Sequence, residues 1–366
     1  MQGAVRVPLV FAVVCLLMSA CSSTSYESAE LRGDPASSTA AVVADSSTEQ
    51  RGTIAELLLR IPQAAVWDQA PASIFVTDYL AIAAARGVAA PANRTADVNL
   101  RWLTELETPV FLFPLIVGLS DKDAGEFGFS VFDIDSYANV DQPYGAQLSV
   151  FGRDLASSDA LRDAEPYLKI GEGNGMQTNV ADRTELRLLG RARHVAAENG
   201  LVAVSLLLPQ IEAWLNNDAP SILDDPSVGL AARELDRVGV VEASFEIPAA
   251  GSMPAKGEST FDLVAVGATY DGPETGSVIV YVFDDEGSAS AGRDVIEADW
   301  DEWVSADGQV VVDVYRRVIV EQRDRAVVVV ASGSSLSRFD LNSLWCDTAF
   351  GESPTGRPLV PKFGCS

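Results

Sequence analysis

The chain has 366 residues, 48% of them hydrophobic, and a formal net charge of −26 at pH 7. That apolar fraction supports a buried core, and the length suits one large domain or two smaller ones. So acidic a surface repels phosphate backbones, which argues against nucleic acid as a partner and favours solubility, cations or basic surfaces.

The first 20 residues carry one charged side chain, Arg6, then an apolar run from Val7 to Met18, then Ser19 and Ala20 before Cys21. A basic start, an apolar stretch of this length and small residues at its end read as a secretory signal, too short for a membrane span. Met18-Ser19-Ala20-Cys21 resembles the lipobox of bacterial lipoproteins. The resemblance implies cleavage before Cys21, a diacylglyceryl group on its thiol, and a product anchored on the extracytoplasmic face of the bacterial membrane. Two or three acyl chains hold such a protein firmly, because each buried methylene contributes ~0.8 kcal/mol. Residues 21–52 then read as the lipidated cysteine and a flexible tether, rich in Ser, Thr, Ala and acidic residues and too poor in large apolar ones to fold alone.

The folded region begins with a short helix at 53–60, N-capped by Thr53 and stopped before Pro62. A strand at 73–76 leads to a helix over 79–86, capped by Thr77 or Asp78 and ended by Gly87. A second helix covers 97–107, and the apolar stretch 110–117, interrupted by Pro114, reads as a buried connection or edge segment. Strands follow at 129–134 and 147–151, with a helix at 157–165. Asn199-Gly200, between apolar runs at 186–197 and 201–206, is the strongest local hairpin signal. Two helices, 209–216 and 226–238, each begin at a proline, as a first helical turn allows.

Beyond a strand at 240–247 and a Gly/Pro/Ser connection, a hairpin at 261–270 and 277–283, a helix at 288–304, and a second hairpin at 310–321 and 326–331 complete the pattern. A final helix over 336–345 leads to the tail. The stretches 129–205 and 261–332 share an order of strand, strand, helix and hairpin, which suggests a weak internal duplication. The fold class expected is α+β: antiparallel sheets with helices on one face, built of two similar strand-strand-helix-strand-strand units. The domain limits are 53–247 and 260–366. With Cys15 in the leader and Cys21 lipidated, Cys346 and Cys365 remain, and an exported chain pairs them as a disulfide that closes the tail. Such a loop stabilises by ~3 kcal/mol in the chain-entropy model.

No motif names a reaction. His194 is the only histidine, so a Ser-His-Asp triad would have to use it, yet no Gly-x-Ser-x-Gly elbow is present; a surface or strand-end position suits it better. Gly171, Gly173 and Gly175 lie between antiparallel segments and read as a turn, not as a dinucleotide loop. Asp121, Asp123 and Glu126 alternate as calcium ligands do, but lack the later ligands of a complete loop. Trp300 and Trp303 fall on adjacent turns of one helix, as core packing or a ligand platform.

The acidic, exported α+β body also resembles uncharacterised lipoproteins of actinobacteria, a resemblance that carries no catalytic residue with it. The expectation is a membrane-anchored, extracytoplasmic, non-enzymatic binding or interaction module of the cell envelope, without cofactor. Its partners would be the membrane, through the lipid, and a cell-wall or envelope component. A hydrolase of wall polymers working through two carboxylates and a lipid-carrier or transport accessory are the alternatives. An enclosed apolar cavity would favour the carrier, and facing buried carboxylates in an open cleft would favour the hydrolase.

Overall fold

The computed structural model describes residues 52–66, 72–89, 102, 106, 134–142, 146–152, 166–173, 175–182, 189–216, 218–247, 261–271, 274–300 and 317–334. Its strands are β1 (Ala72–Asp78), β2 (Ser136–Gln142), β3 (Ala146–Gly152), β4 (Leu168–Ile170), β5 (Arg193–Glu198), β6 (Leu201–Ser205), β7 (Glu242–Ile247), β8 (Phe261–Asp271), β9 (Glu274–Phe283), β10 (Arg317–Arg323) and β11 (Ala326–Ser334). They form one 11-stranded sheet in the order β10-β11-β9-β8-β7-β1-β2-β3-β6-β5-β4. Every pairing in it is antiparallel. The fold is therefore α+β with a dominant antiparallel sheet. Strands from 53–247 and from 260–366 meet directly where β7 pairs with β8.

Among the described residues five α-helices cover this sheet: α1 (Thr53–Leu58), α2 (Tyr79–Arg86), α3 (Leu208–Leu215), α4 (Pro226–Val238) and α5 (Glu286–Asp299). Their ends follow local chemistry. Asp78 accepts the amide of Ala81 at 2.8 Å to cap α2, and Gly87 ends that helix at φ 68°. Asp225 accepts Ser227 N and Val228 N to start α4, with Pro226 in the first turn, where its missing amide costs nothing. Asp285 accepts Ser288 N at 2.7 Å to start α5. Among the described helices, none is long and apolar enough to cross a membrane.

Helices on a single face were expected; the structure places them on both. On one face α1 and α4 press Ile54, Leu58, Leu230 and Leu235 onto Ile74, Phe245, Ala265 and Val280. Farther along that face Ile211 and Trp214 of α3 pack over Leu148, Val150 and Ala203. On the opposite face α5 lays Ala289, Ile296 and Trp300 over Val266, Tyr281 and Val329. There too α2 sets Tyr79 and Ile82 against Tyr137, Phe151 and Val202. The reason is in the strands: Val278 to Phe283 is buried at every position, so both of its alternating faces need cover.

The turn at Asn199-Gly200 has both residues at positive φ, 51° and 78°, as a two-residue hairpin loop requires. Thr53 is not the cap of α1. It is the first helical residue, and the capping oxygens come from Asp236 at the far end of α4, whose carboxylate accepts Ile54 N at 2.8 Å and Ala55 N at 3.0 Å. Of the expected strand at 129–134 only Ile134 is described, and it precedes β2 without belonging to a strand; the expected helices at 157–165 and 336–345 lie outside the described residues.

Candidate functional site

An open cleft of about 200 Å³ lies at one end of the face that carries α1 and α3. One wall is the chain leaving α1, with Leu59, Arg60 and Pro62; the other is the end of α3 and the segment after it, with Ala213, Trp214, Asn216 and Ala219. The β5–β6 hairpin supplies Glu198, Asn199 and Leu201. The walls are tied together by a bridge between Pro62 and Ser221, by Gln63 N donating to Pro220 O at 2.8 Å, and by Ile222 N donating to Ile61 O at 2.8 Å. Its lining mixes apolar and polar side chains in about equal measure, where small-molecule sites are more often mainly apolar and ~300–1,000 Å³ in volume.

Arg60 is half-buried. Its Nη1 donates to Ser136 Oγ at 2.8 Å, and the pair rests against Gly152, where a Cβ would collide with both groups. Burial pushes the guanidinium below its ordinary value, while the charges of Glu56 and Asp78 act in the opposite direction. The end of α3 carries no basic residue in its last turn, so its terminal carbonyls add negative potential to the opposite wall.

A second polar region crosses the middle of the other face. Asp141, Ser73 and Glu246 sit in register on β2, β1 and β7. Ser73 Oγ donates to Glu246 Oε2 at 2.6 Å, and Ser244 Oγ to Oε1 at 3.4 Å. Desolvation, opposed by these hydrogen bonds and reinforced by the charge of Asp141, pushes the Glu246 carboxyl up to about 7. Four residues earlier on β7 and on the same face, Glu242 is buried and accepts the Tyr270 hydroxyl. The Arg86 guanidinium lies 4.6 Å from the centre of the Tyr270 ring.

No family model matches the chain, and no curated protein matches it. Among solved structures, crystal form I of TP0453 aligns over 77% of this chain and 96% of that one, at 7% identity and a TM-score of 0.33.

Of the residues singled out in the sequence, Trp300 is buried at 3% exposure in the core beneath α5. Trp303, Asp121, Asp123, Glu126, Cys21, Cys346 and Cys365 lie outside the described residues. Among the described residues no group of three or more His, Cys, Asp or Glu could hold a metal ion. Several of the acidic clusters are structural: Asp224 closes a capping box with Ser221, and Asp225 and Asp285 cap helices.

His194 is not at the surface. It is the second residue of β5, buried, edge-on to Tyr167, with its Nδ1 lacking a hydrogen-bond partner. Desolvation first, and the charge of Lys169 second, push its pKa down against the pull of Glu212. Gly171 and Gly173 adopt positive φ in the bend after β4, and Gly175 passes so close to the carbonyl of Leu206 that a Cβ would overlap it. The flanking strands β4 and β5 are antiparallel, the geometry of a turn and not of a nucleotide-binding crossover.

The sequence reading missed the cleft. Arg60 carried no motif, and only its isolation as a lone cation among the apolar residues of 54–62 could have marked it.

Proposed function

We propose that this chain is a lipoprotein of the bacterial envelope, anchored through Cys21 on the extracytoplasmic face, whose folded body is a non-enzymatic binding module. The observation that carries the binding reading is the open cleft between α1, α3 and the β5–β6 hairpin, where Arg60, Glu198 and Asn199 are set beside Leu59, Pro62 and Trp214. The address rests on Met18-Ser19-Ala20-Cys21.

Two experiments test it. Wild-type protein should incorporate labelled palmitate and sediment with membranes, whereas Cys21→Ala should be unlabelled and soluble. A wild-type product without label removes the anchor. For the body, Ala213→Phe fills the cleft from α3. Ligand-observed NMR over a panel of small polar compounds should find binders to the wild type that this variant loses. Binding that survives Ala213→Phe, or no binder at all, removes the cleft as the functional site.

A carboxylate-based hydrolase of wall polymers is the second reading, favoured by Asp141 and Glu246 projecting from one face on either side of β1. An acid held near neutrality beside a second carboxylate is the pairing that glycoside hydrolysis uses. The binding module ranks first because the cleft lies on the opposite face from that pair.

The two halves of the sheet also support a duplication. β1-β2-β3 and β7-β8-β9 are each three successive neighbours, and each is followed by a hairpin whose second strand, β6 or β11, docks on the third. The first half adds β4 outside its hairpin. The helix that would match α5, at 157–165, lies outside the described residues.

A further inference from the structure

We propose that the cleft recognises a small monocarboxylate, its two oxygens paired with the Arg60 guanidinium and its short apolar chain laid against Leu59, Leu201 and Trp214. This rests on the reading of the cleft as the binding site.

Among the described residues that line the cleft, Arg60 is the one cation. Of its five N–H donors, the hydrogen bond from Nη1 to Ser136 Oγ at 2.8 Å is the one made among the described residues, and that partner is neutral. Glu56 and Asp78 act on the guanidinium through their charge, yet no carboxylate among the described residues lies within ion-pair distance of it. A half-buried cation so placed has given up hydration without gaining an anion, an arrangement that costs stability until one completes it. The seat is built: a Cβ at Gly152 would overlap both the guanidinium and the Ser136 hydroxyl, and that hydroxyl holds one edge of the cation. The edges left over present parallel N–H donors, the fork that takes a carboxylate through two hydrogen bonds.

A single positive charge also selects among anions. A phosphate monoester carries about 1.5 to 2 negative charges at neutral pH, and no second cation lines the cleft among the described residues. The end of α3 has no basic residue in its last turn, so its carbonyls disfavour surplus negative charge there. A monoanion matches Arg60 and leaves no surplus. Glu198 also lines the cleft, but it is already engaged and has no part in holding the ligand. Beside the guanidinium, Leu59, Leu201 and Trp214 offer apolar surface, and a volume of about 200 Å³ limits the chain laid on it to a few carbons.

The test uses three matched probes on the purified full chain: 4-methylpentanoate, its neutral amide 4-methylpentanamide, and 3-methylbutyl phosphate. Titration calorimetry should give the carboxylate at least tenfold tighter binding than either, about the least that charge-assisted hydrogen bonds contribute. Arg60→Gln should bring the carboxylate down to the level of the amide and leave the amide's own affinity unchanged, with circular dichroism unaltered. Arg60→Lys keeps the charge without the fork and should restore binding only in part; full restoration overturns the two-point pairing. Equal binding of carboxylate and amide to the wild type overturns the anion site, whether or not any variant folds. Tighter binding of the phosphate overturns the monocarboxylate. If none of the three binds while other compounds still bind in a manner lost in Ala213→Phe, the carboxylate is wrong and the cleft stands. If no compound responds to Ala213→Phe, the cleft reading itself has failed.

Discussion

Glu246→Gln should stabilise the protein above pH 7 and leave it unchanged at pH 4. In the folded chain the Glu246 carboxyl holds its proton to about 7, against an ordinary value of 4.5, chiefly because the surrounding strands strip it of water. As pH rises through 4.5 the unfolded chain gives up this proton while the folded chain keeps it. The folded state then binds more protons, so stability falls with rising pH across the window from 4.5 to about 7. This is the reverse of an ion-paired carboxylate, whose contribution is lost on acidification. At 1.36 kcal/mol per pH unit, and discounted for the solvent that still reaches the side chain, the loss is about 2 kcal/mol. Glutamine is uncharged throughout and its carbonyl can still accept from Ser73, so position 246 should contribute no pH dependence of its own over the window. Urea unfolding of both proteins at pH 4 and pH 8 measures the difference. A gap that does not grow with pH would show that Glu246 is solvated in the folded state, and with it would go the acid that the hydrolase reading needs.

What the sequence made legible was the local grammar. Helix α4 lies where Pro226 and Gly239 bracket it, the Asn199-Gly200 hairpin is where the dipeptide put it, and Asp78 and Gly87 delimit α2. These are signals of a few adjacent residues, and their physics does not depend on what packs against them. β2 was missed because Ser136-Tyr-Ala-Asn-Val-Asp-Gln142 is half polar. Its apolar core positions, Tyr137, Ala138 and Val140, become a strand only when β1 and β3 flank them on both sides. The burial of His194 was hidden for a similar reason, since nothing within Arg191–His194 announces that Tyr167, 27 positions earlier, will lie beside the ring. The cleft is the extreme case. Its parts come from 59–62, 198–201 and 213–221, and only the sheet brings them together.

Asp236→Ala should cost about 2–3 kcal/mol, a large effect for one side chain in a helix's last turn, because the helix it caps is not its own. Both carboxylate oxygens accept amides at the start of α1, from Ile54 and Ala55, across some 180 residues of chain. No side chain from the local sequence substitutes: the N-cap position is Gly52, and a Cβ there would overlap the Asp236 carboxylate. Removing that carboxylate leaves two amides in a partly buried setting without acceptors, each costing ~1–3 kcal/mol less whatever water can recover. Asp236→Asn keeps one acceptor and should fall between Ala and wild type. The loss should also spread. Ile54, Leu57 and Leu58 are core residues held down by this cap, and α1 leads directly into Arg60, so the variant should bind the cleft's ligand more weakly as well as unfold at lower urea. Denaturation of the three proteins, with affinity measured alongside for whichever small polar compounds bind the wild type and not Ala213→Phe, separates the possibilities. An Ala variant within about 0.5 kcal/mol of wild type would mean that α1 is held by its apolar face alone. A large loss of stability with unchanged affinity would mean that Arg60 is seated by Ser136 and Gly152 without help from the helix before it.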